Sequence, residues 1–162
     1  MRCRRKHNIM EVIYMTYSEY ALQFVGVRQG STRHKRIVDD YNTIKPLPRG
    51  YRVKYSDNWC ATFVSFILKR CGCKKNVFEC GAQRMRAKCI KLKLMLDDIT
   101  KGKANDIIFY DWNGDSWTDH VGIIYKTDKS YYYVVEGNKN KRVETRKISK
   151  KSKSIEGIAR IK

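Results

Sequence analysis

A cysteine attacks a carbonyl as thiolate, and the thiolate is favoured where free backbone N–H groups and a helix dipole face the sulfur. Cys60 stands where the sequence predicts such a place. Ser56, Asp57 and Asn58, three residue types that cap helix N-termini, precede Trp59 and Cys60. From Cys60 the chain is apolar at Phe63, Val64, Ile67, Leu68 and Cys71, the i, i+3, i+4, i+7 rhythm of a helix face. Lys69 and Arg70 fall in the last turn, and Gly72 suits the position just past it. The pattern predicts a helix with Cys60 in its first turn, on the inward face. Taken alone, a cysteine there also fits a small buried hydrophobe.

A thiol of this kind needs a base, and the second half of the chain offers one. His120 begins the run Val121-Gly122-Ile123-Ile124-Tyr125, and Tyr131 begins another that ends near Glu136. Both are rich in β-branched and aromatic residues, and Lys126 to Ser130 suits a hairpin loop between them. If Tyr125 faces Tyr131, His120 lies directly across from Glu136, with Cβ atoms ~5 Å apart. A carboxylate there would hold the imidazole's tautomer and orientation. Asn138, two residues on, points to the same side and could serve instead. A slip of one residue would put the pair on opposite faces, and a surface His–Glu pair without chemistry is the competing reading.

Metal chemistry finds less support. The six cysteines are Cys3, Cys60, Cys71, Cys73, Cys80 and Cys89, with no C-x-x-C pair, and His7, His34 and His120 lie far from them in sequence. That is not zinc-site spacing. Asp111 to Asp119 places oxygens at the first, third, fifth and ninth positions of a calcium loop. Ser116 stands where such loops need glycine, and Gly122 stands where they need glutamate. The segment reads as a turn leading into the His120 strand. No metal and no cofactor is expected, and the thiols are expected to be reduced.

The elements that must position these residues make an α+β domain. Helical patterns occupy Tyr20 to Val25, Thr32 to Tyr41, the Cys60 segment and Ala82 to Leu92. Lys45 to Gly50, with two prolines and a glycine, is a connector. Strands follow at Ile107–Tyr110, in the two runs above, around Val143 to Ile148 and around Ile158 to Ile161, as an antiparallel meander. Lys147 to Ser154 reads as a basic loop. The length suits one catalytic domain over 1–162, with 1–15 a flexible basic extension. No run approaches the ~20 apolar residues of a membrane span, and Asn8, Glu11 and Ser18 interrupt any signal-peptide core.

Charge is lopsided, with 35 Lys and Arg against 16 Asp and Glu, formally +19. Such a field draws polyanions, whether nucleic acid, anionic lipid or wall polymers. With eleven tyrosines it also admits a second class of protein, a basic nucleic-acid-binding module without catalysis.

Three segments resemble the motifs of one family. Asn58-Trp59-Cys60-Ala61-Thr62-Phe63-Val64-Ser65 is similar to the nucleophile segment of CHAP domains, the cysteine- and histidine-dependent amidohydrolases and peptidases. Asn105 to Trp112 followed by Asp119-His120-Val121-Gly122-Ile123 resembles the family's histidine segment, and Glu136-Gly137-Asn138 its third motif. The stretch from Gly26 through Asn42 is similar to CHAP domains of phage and prophage lysins from Gram-positive hosts. The resemblance implies a papain-like arrangement, a cysteine-bearing helix packed on a histidine-bearing antiparallel sheet. It implies Cys60 as nucleophile, His120 as base and acid, and Glu136 or Asn138 as the orienting residue. The substrate implied is the peptide part of bacterial peptidoglycan, cut at N-acetylmuramoyl-L-alanine or within the stem peptide and cross-bridge. The Cys60 backbone N–H would serve the oxyanion; Asn58, Tyr55, Trp59 and Trp117 are further oxyanion or substrate-contact candidates. Calcium, which some lysins bind through an acidic loop ahead of the cysteine, would find mainly Asp39 and Asp40 here. A monomer made in the cytoplasm without a signal peptide is expected, reaching the wall after phage lysis or by another route. Its positive charge would attract anionic wall polymers. The same fold acting on a non-wall substrate, as an amidase or toxin, is the remaining alternative.

Overall fold

The computed structural model describes residues 3–4 and 14–161. The expected extension over 1–15 therefore lies mostly outside the described residues. Of it, β1 (Cys3–Arg4) pairs antiparallel with β2 (Tyr14–Met15). Helix α1 (Tyr17–Leu22) opens on a capping box: Glu19 N–H donates to the Thr16 hydroxyl, and Thr16 N–H donates to the Glu19 carboxylate at 2.7 Å. It ends short of the expected Val25, and Phe24 turns inward to meet Tyr20 and Phe66 edge-on. Helix α2 (Thr32–Tyr41), capped by Ser31, buries the expected Ile37, Val38 and Tyr41, and His34 as well.

Helix α3 (Cys60–Arg70) starts and ends where its pattern requires, but Cys60 through Leu68 are all buried. A single apolar stripe underestimates this burial because α3 touches α1, α2, α4 and the sheet together. Its N-cap is Trp59, with no side-chain cap. The capping residues the sequence offers are engaged elsewhere. Asp57 accepts from Lys54 N–H and the Tyr51 hydroxyl, both at 2.8 Å, and Asn58 Oδ1 accepts from Asn138 Nδ2 at 3.1 Å. Asp40 forms ion pairs with Lys69 and, at 2.7 Å, with Arg70, pinning α2 to the end of α3. Helix α4 (Ala82–Lys91) buries Ala82, Met85 and Cys89.

The sheet comprises β3 (Ile107–Tyr110), β4 (His120–Thr127), β5 (Tyr131–Lys139), β6 (Arg142–Ser149) and β7 (Ile155–Ala159), antiparallel in the order β6-β5-β4-β3-β7. Four strands form the expected meander. The last does not extend it: β7 starts at Ile155 and pairs with β3 on the opposite edge. In that position Ile155, Ile158 and Ala159 are buried. The basic loop is correspondingly shorter than expected, since Lys147 to Ser149 complete β6.

One sheet face, with Ile107, Phe109, Val121, Ile123, Val135 and Val143, packs under the helices. The other buries Ile108, Tyr110, Ile124, Tyr132 and Val134 beneath Leu96 and Ile99. No helix of the described residues is long and apolar enough to cross a membrane.

The β4–β5 register departs from expectation. Ile123 pairs with Val135, where the Tyr125–Tyr131 pairing would have put it opposite Tyr133. A bulge between Ile124 and Lys126 absorbs a further residue toward the turn. Near His120 the shift is two residues, and because strand side chains alternate with period two, His120 and Glu136 keep a common face.

Candidate active site

Cys60 reaches the sheet because α3 lies unusually close to it. A Cβ on Gly137 would sit 2.5 Å from Phe63 Cβ, so only glycine lets the helix rest against β5 here. The first turn of α3 lacks a side-chain cap, which leaves its backbone N–H groups for an anion at the sulfur or just beyond it. Cys60 is 7% exposed.

His120 opens β4, opposite Tyr110 in the ladder with β3. Its Nε2 lies 3.3 Å from Glu136 Oε2. The two residues are not directly opposed, as the sequence suggested, but diagonal. Gly122 makes that possible, since a Cβ there would lie 2.8 Å from Glu136 Cγ. The missing side chain is the space through which Glu136 leans toward the imidazole. With Nε2 turned to Glu136, Nδ1 is the ring nitrogen left for Cys60, whose thiol acts on the imidazole and favours its charged form. Burial alone would lower the His120 pKa; the Cys60 hydrogen bond and then Glu136 outweigh it and raise the value to about 9.

Glu136 has no exposed surface, and burial by itself would push its pKa up. Hydrogen bonds from His120 and Arg146 reverse that, and the carboxyl is held below its ordinary value. Arg146, in β6, donates from Nε to both carboxylate oxygens at 2.8 and 3.0 Å. Its guanidinium also lies 4.7 Å from the Trp112 ring centroid and 5.7 Å from that of Tyr110. Trp112 stacks on Tyr110 at 4.6 Å and lies 6.3 Å from His120. The sequence reading missed Arg146 and the role of Trp112. Alternation along β6 could have put Arg146 on the Glu136 side, but only the β5–β6 register, Val134 opposite Arg146, brings the two within reach.

The other expected site residues divide. Asn138, in a left-handed conformation (φ 58°), has its amide on Asn58 rather than on His120. The pair ties β5 to the loop that delivers Cys60. Tyr55 donates its hydroxyl to Asp39 at 2.8 Å and is therefore engaged away from an oxyanion. Trp59 is a correction: its indole is fully buried, 4.6 Å from the His34 ring, and packs the core rather than a substrate. Trp117 is 60% exposed at the loop before β4. In that loop the Asp111 carboxylate accepts N–H groups of Gly114 and Ser116 at 2.7 and 2.8 Å, and Asp119 accepts from Trp112 N–H at 2.7 Å. These oxygens shape a turn. Cys60, Cys71, Cys73, Cys80 and Cys89 are free thiols. Burial raises Cys73 and Cys80 and pushes Cys89 up to about 12, a direction that disfavours the thiolate.

A helix-borne cysteine against a sheet-borne histidine, with a third group behind the ring, is the papain-like arrangement of cysteine hydrolases. The CHAP domain model matches residues 50–138. That is more than half of the chain and includes Cys60, His120, Glu136 and Asn138. The chain belongs to the CHAP family, a peptidoglycan-related family of amidases and peptidases. No curated protein matches it. Among solved structures it is similar to an NLP/P60-family protein of Staphylococcus aureus subsp. aureus Mu50, described as similar to lipoprotein, with 13% identity and a TM-score of 0.42. The likeness covers 84% of this chain and 44% of that one, so this chain spans less than half of that protein's length.

Proposed function

We propose that the protein hydrolyses an amide bond in the peptide part of bacterial peptidoglycan, either N-acetylmuramoyl-L-alanine or a bond of the stem peptide or cross-bridge, through a Cys60 thioester. The observation that carries the reading is the line Cys60–His120–Glu136–Arg146, with Glu136 fully buried, behind an uncapped helix N-terminus. His120 takes the thiol proton and the sulfur attacks the carbonyl carbon. The oxyanion forms against the Cys60 backbone N–H. Asn58 is the second donor: its Oδ1 is occupied by Asn138, which leaves its Nδ2 free to donate. His120 then gives the proton to the leaving amine as the C–N bond breaks and the thioester remains. Water, deprotonated by His120, attacks the thioester carbonyl and releases the acid and the thiol. Glu136 stabilises the imidazolium in both steps.

Purified cell walls incubated with the protein should lose turbidity and release new amino termini, whose identity separates amidase from endopeptidase. Cys60→Ala should lose this activity with an unchanged thermal midpoint. A well-folded Cys60→Ala that retains more than a small fraction of the rate would overturn the reading.

A further inference from the structure

At the far end of the sheet from the site, two turns meet. Lys150 N–H donates to the Ser130 carbonyl at 2.9 Å, joining the β6–β7 turn to the β4–β5 turn. Six lysines gather there: Lys126, Lys129, Lys147, Lys150, Lys151 and Lys153, none in an ion pair among the described residues, and all but Lys150 exposed. Asp128 is the one carboxylate of the two turns, offsets a single charge and forms no ion pair with a lysine among the described residues. Its carboxylate accepts the Ser130 and Tyr131 N–H groups at 2.8 Å and the Tyr133 hydroxyl at 2.9 Å. Tyrosines lie among the lysines, but cations already sit on their rings. Lys147 is 4.2 Å from the Tyr131 centroid and 5.6 Å from Tyr133, Lys126 is 5.0 Å from Tyr133, and Lys150 is 4.9 Å from Tyr132. A ring face covered by an ammonium is poorly placed to stack a base. Every cation of the cluster is lysine, which binds phosphate as a point charge rather than through a bidentate fork.

We infer that this end of the sheet is a second binding surface, for a flexible, base-free polymer bearing phosphates. From His120 to Thr127, β4 spans seven residues at about 3.3 Å each, so the surface lies about 23 Å from the catalytic histidine. A polymer held there leaves the site open to peptide. Its use, to keep the enzyme on a wall that carries such polymers, rests on the wall-hydrolase reading. The binding does not.

The test titrates the full chain with long-chain inorganic polyphosphate and with oligothymidine of matched charge, across a salt series. Lys126→Gln/Lys147→Gln/Lys150→Gln should weaken polyphosphate binding at least tenfold and reduce the salt slope by about 2. Lys129→Gln/Lys151→Gln/Lys153→Gln, which touches none of these rings, should also weaken it and guards against a misfolded first variant. Lys74→Gln/Lys75→Gln/Lys91→Gln, on exposed positions elsewhere, should leave it within twofold. Equal losses in the last variant would mean diffuse charge, and oligothymidine binding tenfold tighter than polyphosphate would mean a nucleic-acid surface. Either overturns the inference. On walls, the first variant should be slower on intact material and equal to wild type on walls stripped of phosphate polymers. If wild type cleaves neither, the hydrolase reading fails while the polyphosphate titration still decides this one.

Discussion

Glu136 carries a charge with no exposed surface, a state that persists only while its partners outweigh desolvation. Glu136→Gln keeps the shape but cannot stabilise an imidazolium, and it leaves Arg146 without its carboxylate. It should cost roughly tenfold or more in wall hydrolysis, consistent with ~1.5–3 kcal/mol for a charged hydrogen bond. Asn138→Ala should cost less, because Asn138 touches Asn58 and not the ring. Initial rates set beside thermal midpoints check the order; a costlier Asn138→Ala at equal stability would return the orienting role to the amide. Arg146 has its own signature. Without it one of the two groups that lower the Glu136 pKa is lost and the value rises, so in Arg146→Met the acid limb of the rate profile should move to higher pH. Arg146→Lys should restore part of the shift. A profile that falls in amplitude without moving would make Arg146 a packing residue only.

At the scale of elements, one glycine sets the distance between helix and sheet. Gly137→Ala would drive a methyl to 2.5 Å from Phe63, and α3 would have to lift from β5. The expected cost is about 1–3 kcal/mol, a fall of several degrees in thermal midpoint, together with a loss of rate, because Cys60 travels with the helix. Gly114→Ala, in open space on the loop, puts strain at a positive φ but moves no catalytic group, and should leave the rate per folded molecule unchanged. Equal rates for both variants would separate helix position from catalysis.

For the molecule as a whole, the site writes itself into the pH dependence of stability. His120 is raised from 6.5 to about 9, so its contribution is fully present below pH 6.5 and is lost as pH rises through about 9. The shift corresponds to on the order of 3 kcal/mol. Glu136 is lowered, so its contribution is present above its ordinary value and lost as pH falls through the lower folded value. Thermal midpoints should therefore fall on the alkaline side between pH 6.5 and 9, and this slope should shrink in Glu136→Gln, which lacks one of the charges that raise His120. An unchanged slope in that variant would mean the histidine is not coupled to the carboxylate.

Much of this was legible in the residues themselves. The rhythm from Cys60 to Cys71 placed a thiol in a first helical turn, and the apolar runs after Asp106 placed a histidine at the head of a strand, because helix and strand periods are local properties of a sequence. The shared face of His120 and Glu136 was legible too, since parity survives a shift of two. What the tertiary structure alone decided were distances across the sheet: the diagonal reach over Gly122, the clamp by Arg146 from β6, and the return of β7 to the edge beside β3. It also decided that Trp59 faces the core and that Asn58, a capping type, leaves the helix uncapped to bind Asn138. Such outcomes depend on register, bulges and the closeness of one layer to another, and these are set by packing between segments far apart in the chain, which no local pattern encodes.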